Sequence, residues 1–530
     1  MGTDLFIGLV YTMGTNKDIV KDKIISLLEK DYGYEVIHVK YSDFIEKISF
    51  DQKIKDKNLR QFYLENILNK NNSTNTDDFS NFEKINFYMN LGNVLREKIS
   101  ASYCSMKAIN YINEKRLEDK KYAFILDSFK HPEEIKAISN LYRDAFYIFS
   151  VYSSEEDAIT FLNIKKDMSE EEAQKLINRD KGKGENPSFG QQMKEAFQLG
   201  DFFIDNDEAD HAYAEIERII DLMHGHPYHT PTKEEYLMFN AYIAGSKSAD
   251  LSRQVGALIG NNDGDVLATG ANDCVKADGG QYWTHYNKKN KVYDDNFDGR
   301  DYKLGIDSNK SEINKIKEEI SRLFFSKIKN INIEISDKEI SRISKEFTKD
   351  MKNTQLNNLT EYGRVVHAEM NALLACSRNG ISVKGNILYC TTFPCHNCAK
   401  HIVGSGIKKV IYIEPYPKSK TLEFYKDSIT KDEGKLDEHK VLFTQFMGIG
   451  PNKYLELFSM NYKGDKKIRK NKKTGEIIKF KRSEAKLRNN MSRLIYIEQE
   501  DYLIKFVYPE ETKKVNSIDF LNLIEEDKFK

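Results

Sequence analysis

The chain has 530 residues, of which 40% are hydrophobic and 31% charged, and its formal net charge is -1. This composition is typical of a folded protein of two or three domains and excludes a disordered chain. No run reaches the roughly twenty apolar residues of a membrane span, the first residues lack the pattern of a secretory signal, and six cysteines are too few for a dense disulfide framework. We therefore expect a cytoplasmic protein without a membrane partner, and the balanced charge does not predict a nucleic-acid-binding surface.

Strands and helices alternate along the N-terminal part of the chain. Apolar runs predict four strands, at 5–10, 35–39, 122–127 and 146–151. An amphipathic helix follows the first strand, with one apolar face formed by Ile19, Ile24, Leu27 and Leu28. Such alternation is typical of a parallel α/β sheet, so we predict an α/β domain over residues 1–225. The polar run from Asn71 to Asp78 predicts a loop within it.

The turn after the first strand lies where a P-loop NTPase carries its phosphate-binding loop. A working loop has the pattern G-x-x-x-x-G-K-[ST]. With Gly14 as the second glycine, Thr15 stands at the lysine position, and a placement that starts at Gly8 makes the loop one residue too long. Asp127, at the end of an apolar strand, is the candidate Mg²⁺ ligand of such a domain. The predicted fold is therefore P-loop NTPase-like and nucleotide-kinase-like, with a degenerate site formed by Gly8, Gly14, Thr15 and Asp127.

A degenerate phosphate loop leaves three functions open for the N-terminal domain. The domain binds a regulatory nucleotide, serves as a scaffold that controls a second domain, or is a true NTPase. Because the lysine and hydroxyl positions are both lost, we expect no efficient phosphoryl transfer.

A second domain follows a segment rich in proline and glycine around residues 224–231. We place this domain at 226–460. It begins with a helix from Lys233 to about Asp250, followed by a hairpin whose turn contains Asp263-Gly264. Residues 309–358 are rich in Lys, Glu and Ile and predict a helical insertion, and residues 461–530 form a C-terminal extension that is basic as far as Arg488.

Two short motifs in the second domain carry the chemistry. They are His367-Ala368-Glu369 and Pro394-Cys395-His396-Asn397-Cys398, which together match the H-x-E…P-C-x-x-C pattern of zinc deaminases. One imidazole and two thiolates provide the three protein ligands of a catalytic zinc, which keeps its fourth position for water. Pro394 fits the first turn of a helix, which would place the two cysteines one turn apart, and His367 would begin a second helix over 368–376.

This ligand set predicts one catalytic zinc per chain, held by His367, Cys395 and Cys398. Zinc lowers the pKa of its water to about 7, so that the water can attack C4 of a cytosine ring while Glu369 transfers the proton. The alternatives are a structural zinc, for which His396 and His401 are candidate fourth ligands, and a redox-active Cys-x-x-Cys pair. Neither alternative explains the glutamate two residues after His367.

The segment from about Ala249 to Met460 resembles the deoxycytidylate deaminase family of the cytidine deaminase superfamily. The resemblance lies in Arg253-Gln254-Val255-Gly256-Ala257, Thr269-Gly270-Ala271-Asn272-Asp273, the two zinc motifs, and Tyr416 after an apolar strand. It implies a three-layer α/β/α domain, a deoxycytidine nucleotide as substrate and a homo-oligomer. The substrate-binding residues that it implies are Asn272 and Tyr416 near the sugar, with Arg253 and Thr392. For Arg253, a contact with the substrate phosphates and a structural ion pair remain equal alternatives.

Nearly the whole chain resembles the bacterial anti-phage dCTP deaminases, in which a degenerate P-loop domain precedes the deaminase. This resemblance implies conversion of dCTP, and of dCMP, to the uracil nucleotide and ammonia, which depletes dCTP during infection. It also implies control by a regulatory nucleotide or a small RNA. The alternatives are a housekeeping dCMP deaminase, a deaminase acting on nucleic acid, and a nucleotide sensor without catalysis.

Three further features have two interpretations each. His224, His226 and His229 form either a metal-binding tract or a solvated loop, of which we expect the loop. Trp283, the only tryptophan, stacks on a base or has a plain packing role, of which we expect packing. The basic run 463–488 contacts nucleic acid or is a solvated face, of which we expect the face.

Overall fold

The computed structural model describes residues 3–50, 79–117, 120–186, 188–295, 299–329, 336–416, 419–437, 439–489 and 491–507. Contacts divide the chain into two units, of which one combines residues up to 231 with those from 447 onward, and the other comprises 232–446. The predicted division differs at its C-terminal side, since it assigned 447–460 to the second domain and 461–530 to a separate extension. The predicted loop at 71–78, residues 330–335 of the predicted insertion and residues 508–530 of the predicted extension lie outside the described residues.

Five parallel strands form the centre of the first unit. They are β1 (Leu5–Tyr11), β2 (Glu35–Lys40), β3 (Tyr122–Asp127), β4 (Phe146–Tyr152) and β5 (Phe202–Asp205). Their order in the sheet is β5-β4-β1-β3-β2. Every residue of β1 and β3 is buried, which explains their nearly continuous apolar sequences, because central strands of a parallel sheet are covered on both faces. The four strands predicted from sequence are all present.

Eight helices are described between these strands and a ninth follows β5. They are α1 (Lys17–Lys30), α2 (Tyr41–Phe50), α3 (Asn81–Lys98), α4 (Tyr103–Lys115), α5 (Pro132–Tyr142), α6 (Glu155–Lys166), α7 (Glu170–Asp180), α8 (Met193–Phe197) and α9 (Ala209–Met223). Serine side chains cap the N-termini of α3, α6 and α7, as the sequence pattern of serine before acidic residues favours. The buried face of α1 contains Val20, whereas Ile19, predicted there, is only half-buried.

The second unit contains a mixed six-stranded sheet of order β14-β15-β13-β12-β6-β7. Its strands are β6 (Gly256–Gly260), β7 (Val266–Ala271), β12 (Ile387–Thr392), β13 (Lys409–Glu414), β14 (Ile429–Thr430) and β15 (Val441–Gln445). The four C-terminal strands are parallel, whereas β6 and β7 form the predicted antiparallel hairpin. Four short strands pair outside this sheet, namely β8 (Asp273–Cys274) with β11 (Val365–Val366) and β9 (Thr284–Asn287) with β10 (Val292–Asp295).

Helices cover both faces of this second sheet. The helices of the unit are α10 (Lys233–Gly245), α11 (Asp301–Leu304), α12 (Ser308–Lys329), α13 (Asp337–Asp350), α14 (Ala368–Arg378), α15 (His396–Ser405) and α16 (Thr421–Phe424). A Cβ on Gly256 would lie 1.8 Å from the Ala241 carbonyl oxygen of α10, and a Cβ on Gly270 would lie 2.1 Å from the Ala368 carbonyl oxygen of α14. The inward side chains of β6, β12, α14 and α15 share one apolar core. The arrangement has the three layers that were expected.

The predicted helical insertion is a pair of helices, α12 and α13. Phe324 and Phe347 stack with ring centroids 5.1 Å apart, which joins the two helices through an aromatic contact. Asn309, near the start of α12, donates to the Leu359 carbonyl and accepts from the Tyr362 N–H. This single amide therefore ties together the two ends of the insertion.

The chain re-enters the first unit at residue 447. β16 (Gly448–Ile449) pairs antiparallel with β5, and α17 (Pro451–Phe458), the hairpin of β17 (Asn461–Tyr462) and β18 (Asp465–Lys466), and α18 (Arg493–Val507) follow. Asp4, which is fully buried beside β1, accepts hydrogen bonds from Arg116, Arg493 and Tyr496. The last helix thus neutralises a charge at the start of the first strand. Among the described residues, no helix has the length and apolar composition of a membrane span.

The close approach of β7 to α14 makes Gly270 a test of the packing around the site. Gly270→Ala is expected to lower the free energy of unfolding by about 1–3 kcal/mol, because its Cβ must displace the backbone of Ala368. Gly404→Ala is the matched control, since it lies within α15 with no atom within 4 Å of the added Cβ and should stabilise the helix by about 0.5–1 kcal/mol. Urea unfolding of both variants measures the difference, and equal stabilities would contradict the packing described.

Candidate metal centre and active site

The two zinc motifs meet where α14 and α15 begin. His367 is the N-cap residue of α14 and Cys395 is the N-cap residue of α15, both with extended backbone, while Cys398 lies in the first turn of α15. The prediction for α14 therefore holds, but that for α15 needs a correction, because Pro394 precedes the N-cap instead of occupying the first turn. Proline still fits this position, because it favours an extended backbone in the residue before it and a helix cannot extend through it towards the N-terminus.

The three predicted ligands form one compact group. The Nδ1 atom of His367 lies 3.4 Å from the sulfur of Cys395 and 3.4 Å from that of Cys398. Zn–S bonds of about 2.3 Å and Zn–N bonds of about 2.0–2.1 Å at tetrahedral angles place such atoms about 3.5 Å apart. The residues present therefore fit a zinc ion. Within the described part of the chain this group has three donors and includes neither His396 nor His401, as expected for a site with one open position.

The protonation of the three side chains reflects their proximity. A hydrogen bond with Cys398 lowers the pKa of the Cys395 thiol, and the same bond raises the pKa of Cys398. The bond to Cys395 raises the pKa of His367 to about 9. Because zinc requires neutral imidazole and ionised thiols, binding of the metal must release protons from this group. The N-terminus of α15 favours the ionised thiols.

Glu369 lies in the first turn of α14 beside the ligand group. Its side chain is 4% exposed, and burial raises the pKa of its carboxyl group. A carboxyl group with a raised pKa holds a proton more readily than a solvated one, which suits a group that accepts a proton and then returns it. Glu369 is not one of the three donors of the metal group, so its carboxylate is free for this task.

A cavity of about 220 Å³ opens in front of the ligand group. His367, Glu369 and Cys395 line it, together with all four predicted substrate-binding residues, Arg253, Asn272, Thr392 and Tyr416. The structure therefore brings every residue predicted for the deaminase site to one place.

The four predicted substrate residues have different environments. Asn272 is buried. Its side-chain amide accepts a hydrogen bond from the Val255 N–H at 2.6 Å and donates one to the Arg253 carbonyl at 2.8 Å, so it also fixes the backbone just before β6. Thr392 donates to Glu414 at 3.2 Å. The guanidinium of Arg253 lies 5.2 Å from the ring centre of Tyr416 and 4.0 Å from the Glu414 carboxylate, and its side chain is 47% exposed. Arg253 is therefore held loosely at the cavity mouth.

Sequence reasoning missed the part of the cavity wall that lies outside the motifs. Asp250 and Phe393 were adjacent to motif residues, but Asp307, Asn309 and Thr360 come from the two ends of the insertion. Their positions depend on the amide of Asn309, which closes those ends, and no motif spacing indicates such a contact. The insertion thus shapes the site as well as extending the domain.

The four residues predicted for the N-terminal nucleotide site lie in different surroundings. Gly8 lies inside β1, where an added Cβ would be 2.5 Å from the Phe129 ring, so the chain is closely packed there, and its part in nucleotide binding stays a prediction. Gly14, with φ +88°, and Thr15 lie in the loop before α1 and line a second cavity. Asp127 accepts hydrogen bonds from Lys17 and His38, each at 2.9 Å, and from Tyr11, so the carboxylate predicted to bind Mg²⁺ is paired with a lysine.

The histidine-rich segment is more ordered than predicted. His224 is 3% exposed, and its ring atoms Nε2 and Nδ1 lie 3.0 Å from the Tyr34 hydroxyl oxygen and 2.8 Å from the Ile220 carbonyl oxygen. The expectation of a solvated loop is therefore wrong for this residue. The rings of His226 and His229 stack at 3.8 Å and form a three-donor group with Asp221. Arg482 donates to both carboxylate oxygens of Asp221, at 2.8 and 3.1 Å, so this carboxylate already has a cationic partner.

Two other expectations also need correction. Trp283 is 64% exposed, with the Lys247 ammonium 4.1 Å from its ring centre, so it is not a packed core residue. In the basic run 463–488, Arg482 and Arg488 form ion pairs with Asp221 and Asp465, and the Arg488 side chain is fully buried. These two arginines are therefore structural rather than part of a solvated face.

Comparison with known proteins identifies the region around the metal group. Residues 231–414 match the family described as "Cytidine and deoxycytidylate deaminase zinc-binding region". The chain is 53% identical to the deoxycytidylate deaminase of Enterobacteria phage T2 over 55 residues, which are 10% of this chain and 29% of that protein. It is 42% identical to ComE operon protein 2 of Bacillus subtilis (strain 168) over 78 residues, 14% of this chain and 41% of that protein. The chain thus spans less than half the length of these curated relatives.

Among solved structures, the dCMP deaminase of cyanophage S-TIM5 in apo form is 17% identical in sequence to this chain, with a TM-score of 0.21. The alignment covers 41% of this chain and 100% of the cyanophage protein.

Proposed function

We propose that this protein deaminates a deoxycytidine nucleotide hydrolytically, converting dCTP and dCMP to dUTP and dUMP with release of ammonia. The observation that supports this most strongly is a buried glutamate beside an N,S,S ligand group of zinc-binding dimensions, in a region that matches a deaminase family. The resemblance of the two-part chain to anti-phage dCTP deaminases supports a role in depleting dCTP during viral infection. The housekeeping dCMP deaminase remains the alternative.

The residues of the cavity divide the chemistry between them. Zinc, when bound to His367, Cys395 and Cys398, supplies a water molecule of lowered pKa. Glu369 accepts a proton from the attacking water and delivers it to N3 of the cytosine ring, and the same carboxylate then assists protonation of the departing amino group at C4. The buried position of Glu369 keeps this proton out of bulk solvent. Asn272 and Tyr416 hold the sugar, and Arg253 faces the phosphates.

The proposed reaction is tested by incubation of the zinc-loaded protein with dCMP, dCTP, CTP and single-stranded DNA. Ammonia release and the uracil product are measured for each. We expect turnover of the deoxycytidine nucleotides and none of the polymer. Activity confined to single-stranded DNA would contradict the proposal and favour a nucleic-acid deaminase. Activity on dCMP with none on dCTP would favour the housekeeping alternative.

Arg253 provides a prediction about the phosphate groups of the substrate. Arg253→Ala is expected to raise KM for the nucleotides about tenfold with little change in kcat, because it removes one charge-assisted contact remote from the reacting atoms. KM for deoxycytidine, which has no phosphate, should not change. Glu414→Gln is the control for the alternative ion pair. If this variant reproduced the effect of Arg253→Ala, the arginine would have only a structural role.

A further inference from the structure

A second cavity, of about 540 Å³, lies within the first unit at the carboxyl ends of its central strands. Its walls include the loop after β1, the residues after β2 and parts of α3 and α6. In open parallel sheets, ligands bind beyond the carboxyl ends of the strands, where the chain switches direction across the sheet. Here the chain passes from β1 to one side to form β2 and β3, and then to the other side to form β4. The cavity has the size of a small-molecule site.

Positive charge dominates the cavity wall. Six cations line it, namely Lys17, Lys40, Lys84, Arg96, Lys130 and Lys166, against the two carboxylates Asp18 and Glu134. Asp18 is paired with Lys21, from outside the wall, at 2.5 Å, and Glu134 is paired with Arg96 at 3.1 Å, which leaves five wall cations without a carboxylate partner in the wall itself. The surplus therefore favours an anionic ligand.

Two of these lysines are available to a ligand. Lys17, Lys40 and Lys130 pair with Asp127, Asp43 and Asp180. The ammonium groups of Lys84 on α3 and Lys166 on α6 form no ion pair with any residue in the described ranges. They lie on two different helices around one cavity, which is the arrangement needed to hold a group with several negative charges.

Asp127, at the carboxyl end of β3, has no carboxylate oxygen left for a divalent cation. Asp127 has both carboxylate oxygens engaged, one by Tyr11 and the other by Lys17 and His38 at 2.9 Å each. Burial alone would raise the pKa of Asp127, but the bonds from His38 and Lys17 outweigh it and hold the pKa well below its usual range. Mg²⁺ would have to displace the Lys17 ammonium to bind this carboxylate. Lysine side chains of the wall, rather than a metal ion held by Asp127, are therefore the groups that we expect to neutralise the phosphates of a ligand.

The loop after β1 is also unlike a phosphate cradle. The Met13 N–H donates to Asp180 at 2.8 Å and the Thr15 N–H donates to the Thr12 carbonyl at 3.2 Å. Gly14 cannot be replaced without strain, because a Cβ would lie 2.6 Å from the Ala158 carbonyl oxygen. Two amides of this loop are thus already engaged, one of them by a carboxylate, whereas the lysine side chains of the wall can contact an anion directly.

The remaining wall suits a nucleobase. Tyr88 and Phe161 line the cavity with half-buried rings that can stack on a planar group. Gln191, which is 4% exposed, also lines the cavity, and its Oε1 atom has no hydrogen-bond partner among the described residues. A buried acceptor of this kind normally has a donor, and the amino group of a base would supply one.

We propose that this cavity binds a nucleoside triphosphate without a divalent cation and does not hydrolyse it. Lys84 and Lys166 contact the phosphates, Gln191 accepts a hydrogen bond from the base, and the Asp127–Lys17 pair takes the place of the metal. This proposal concerns the first unit alone and does not depend on the deaminase activity.

Calorimetric titration of the full zinc-loaded chain tests the proposal. ATP, GTP and inorganic triphosphate are each titrated in buffer freed of divalent cations and again with Mg²⁺. We expect at least one nucleotide to bind equally well or more tightly without Mg²⁺, inorganic triphosphate to bind more weakly, and no phosphate to be released over hours. A strict requirement for Mg²⁺, phosphate release, or no binding of either nucleotide would overturn the proposal.

Variants locate the binding site. The double variant Lys84→Ala with Lys166→Ala is expected to weaken nucleotide binding about tenfold or more, because two charge-assisted contacts are lost. Gln191→Leu should weaken nucleotide binding but leave that of inorganic triphosphate unchanged. Lys136→Ala, an exposed α5 residue outside the cavity wall, is the matched control and should bind normally. Unchanged binding in the double variant would also overturn the proposal.

Discussion

Replacement of Glu369 by glutamine is expected to lower kcat for deamination about 10²–10⁴-fold while one zinc per chain remains bound. Glutamine has the shape of glutamate but cannot carry the proton from water to the base. Because the carboxyl group is 4% exposed and its pKa is raised by burial, the variant should unfold at an equal or higher temperature than the original protein. The original protein should lose activity as the pH falls through the raised pKa of Glu369, since the protonated carboxyl group cannot accept a proton.

The measurements for this variant are ammonia release, zinc content and thermal unfolding. Glu423→Gln, an exposed change in α16 outside the cavity, serves as the control and should behave like the original protein. Normal turnover in Glu369→Gln would contradict the proton-transfer role. A loss of zinc or of stability together with activity would instead indicate a structural role for the carboxyl group.

Removal of the metal is expected to abolish deamination completely. Cys398→Ala breaks the ligand group, and a chelator that strips zinc from the original protein should have the same effect, reversed by added zinc. Both treatments should also lower the unfolding temperature, because an ion that binds only the folded state stabilises it. Elemental analysis gives the zinc content, and the same samples are assayed for ammonia release.

Cys376→Ala controls for the loss of a thiol, since Cys376 is a buried residue of α14 outside the ligand group. It should retain zinc and activity. Full activity in a zinc-free protein would contradict the whole account of the site. A second zinc per chain that survives in Cys398→Ala would assign a metal to the group of Asp221, His226 and His229.

The metal-ligand group and Glu369 could be predicted from sequence because these residues are concentrated in two short motifs. The spacing of His367 and Glu369, and of Cys395 and Cys398, already restricts these side chains to the first turns of two helices. The fold then needs only to place the N-termini of α14 and α15 next to each other. The one local error, the position of Pro394, arose because an extended residue before an N-cap and the first helical residue are both acceptable places for proline.

Features that depend on distant contacts were less predictable. The partners of the Asp127 carboxylate are Tyr11, Lys17 and His38, which come from β1, α1 and β2. The wall formed by Asp307 and Thr360 depends on the closure of the insertion by Asn309. Likewise, His224 has the sequence context of a linker but is buried by Tyr34 from 190 residues earlier. Sequence patterns report local periodicity and do not encode such pairs.

The return of the chain to its first unit has a consequence for biosynthesis. A ribosome adds about 5–20 residues per second, so the stretch 232–446 delays the arrival of β16 by about ten to forty seconds. α18 emerges later still, and until then Asp4 lacks the charge supplied by Arg493 and has only Arg116 as its cationic partner. While the second unit is translated, the sheet of the nascent first unit therefore lacks its edge strand β16. Ribosome-bound chains halted before residue 447 should accordingly be cleaved by protease within the first unit far more readily than released protein.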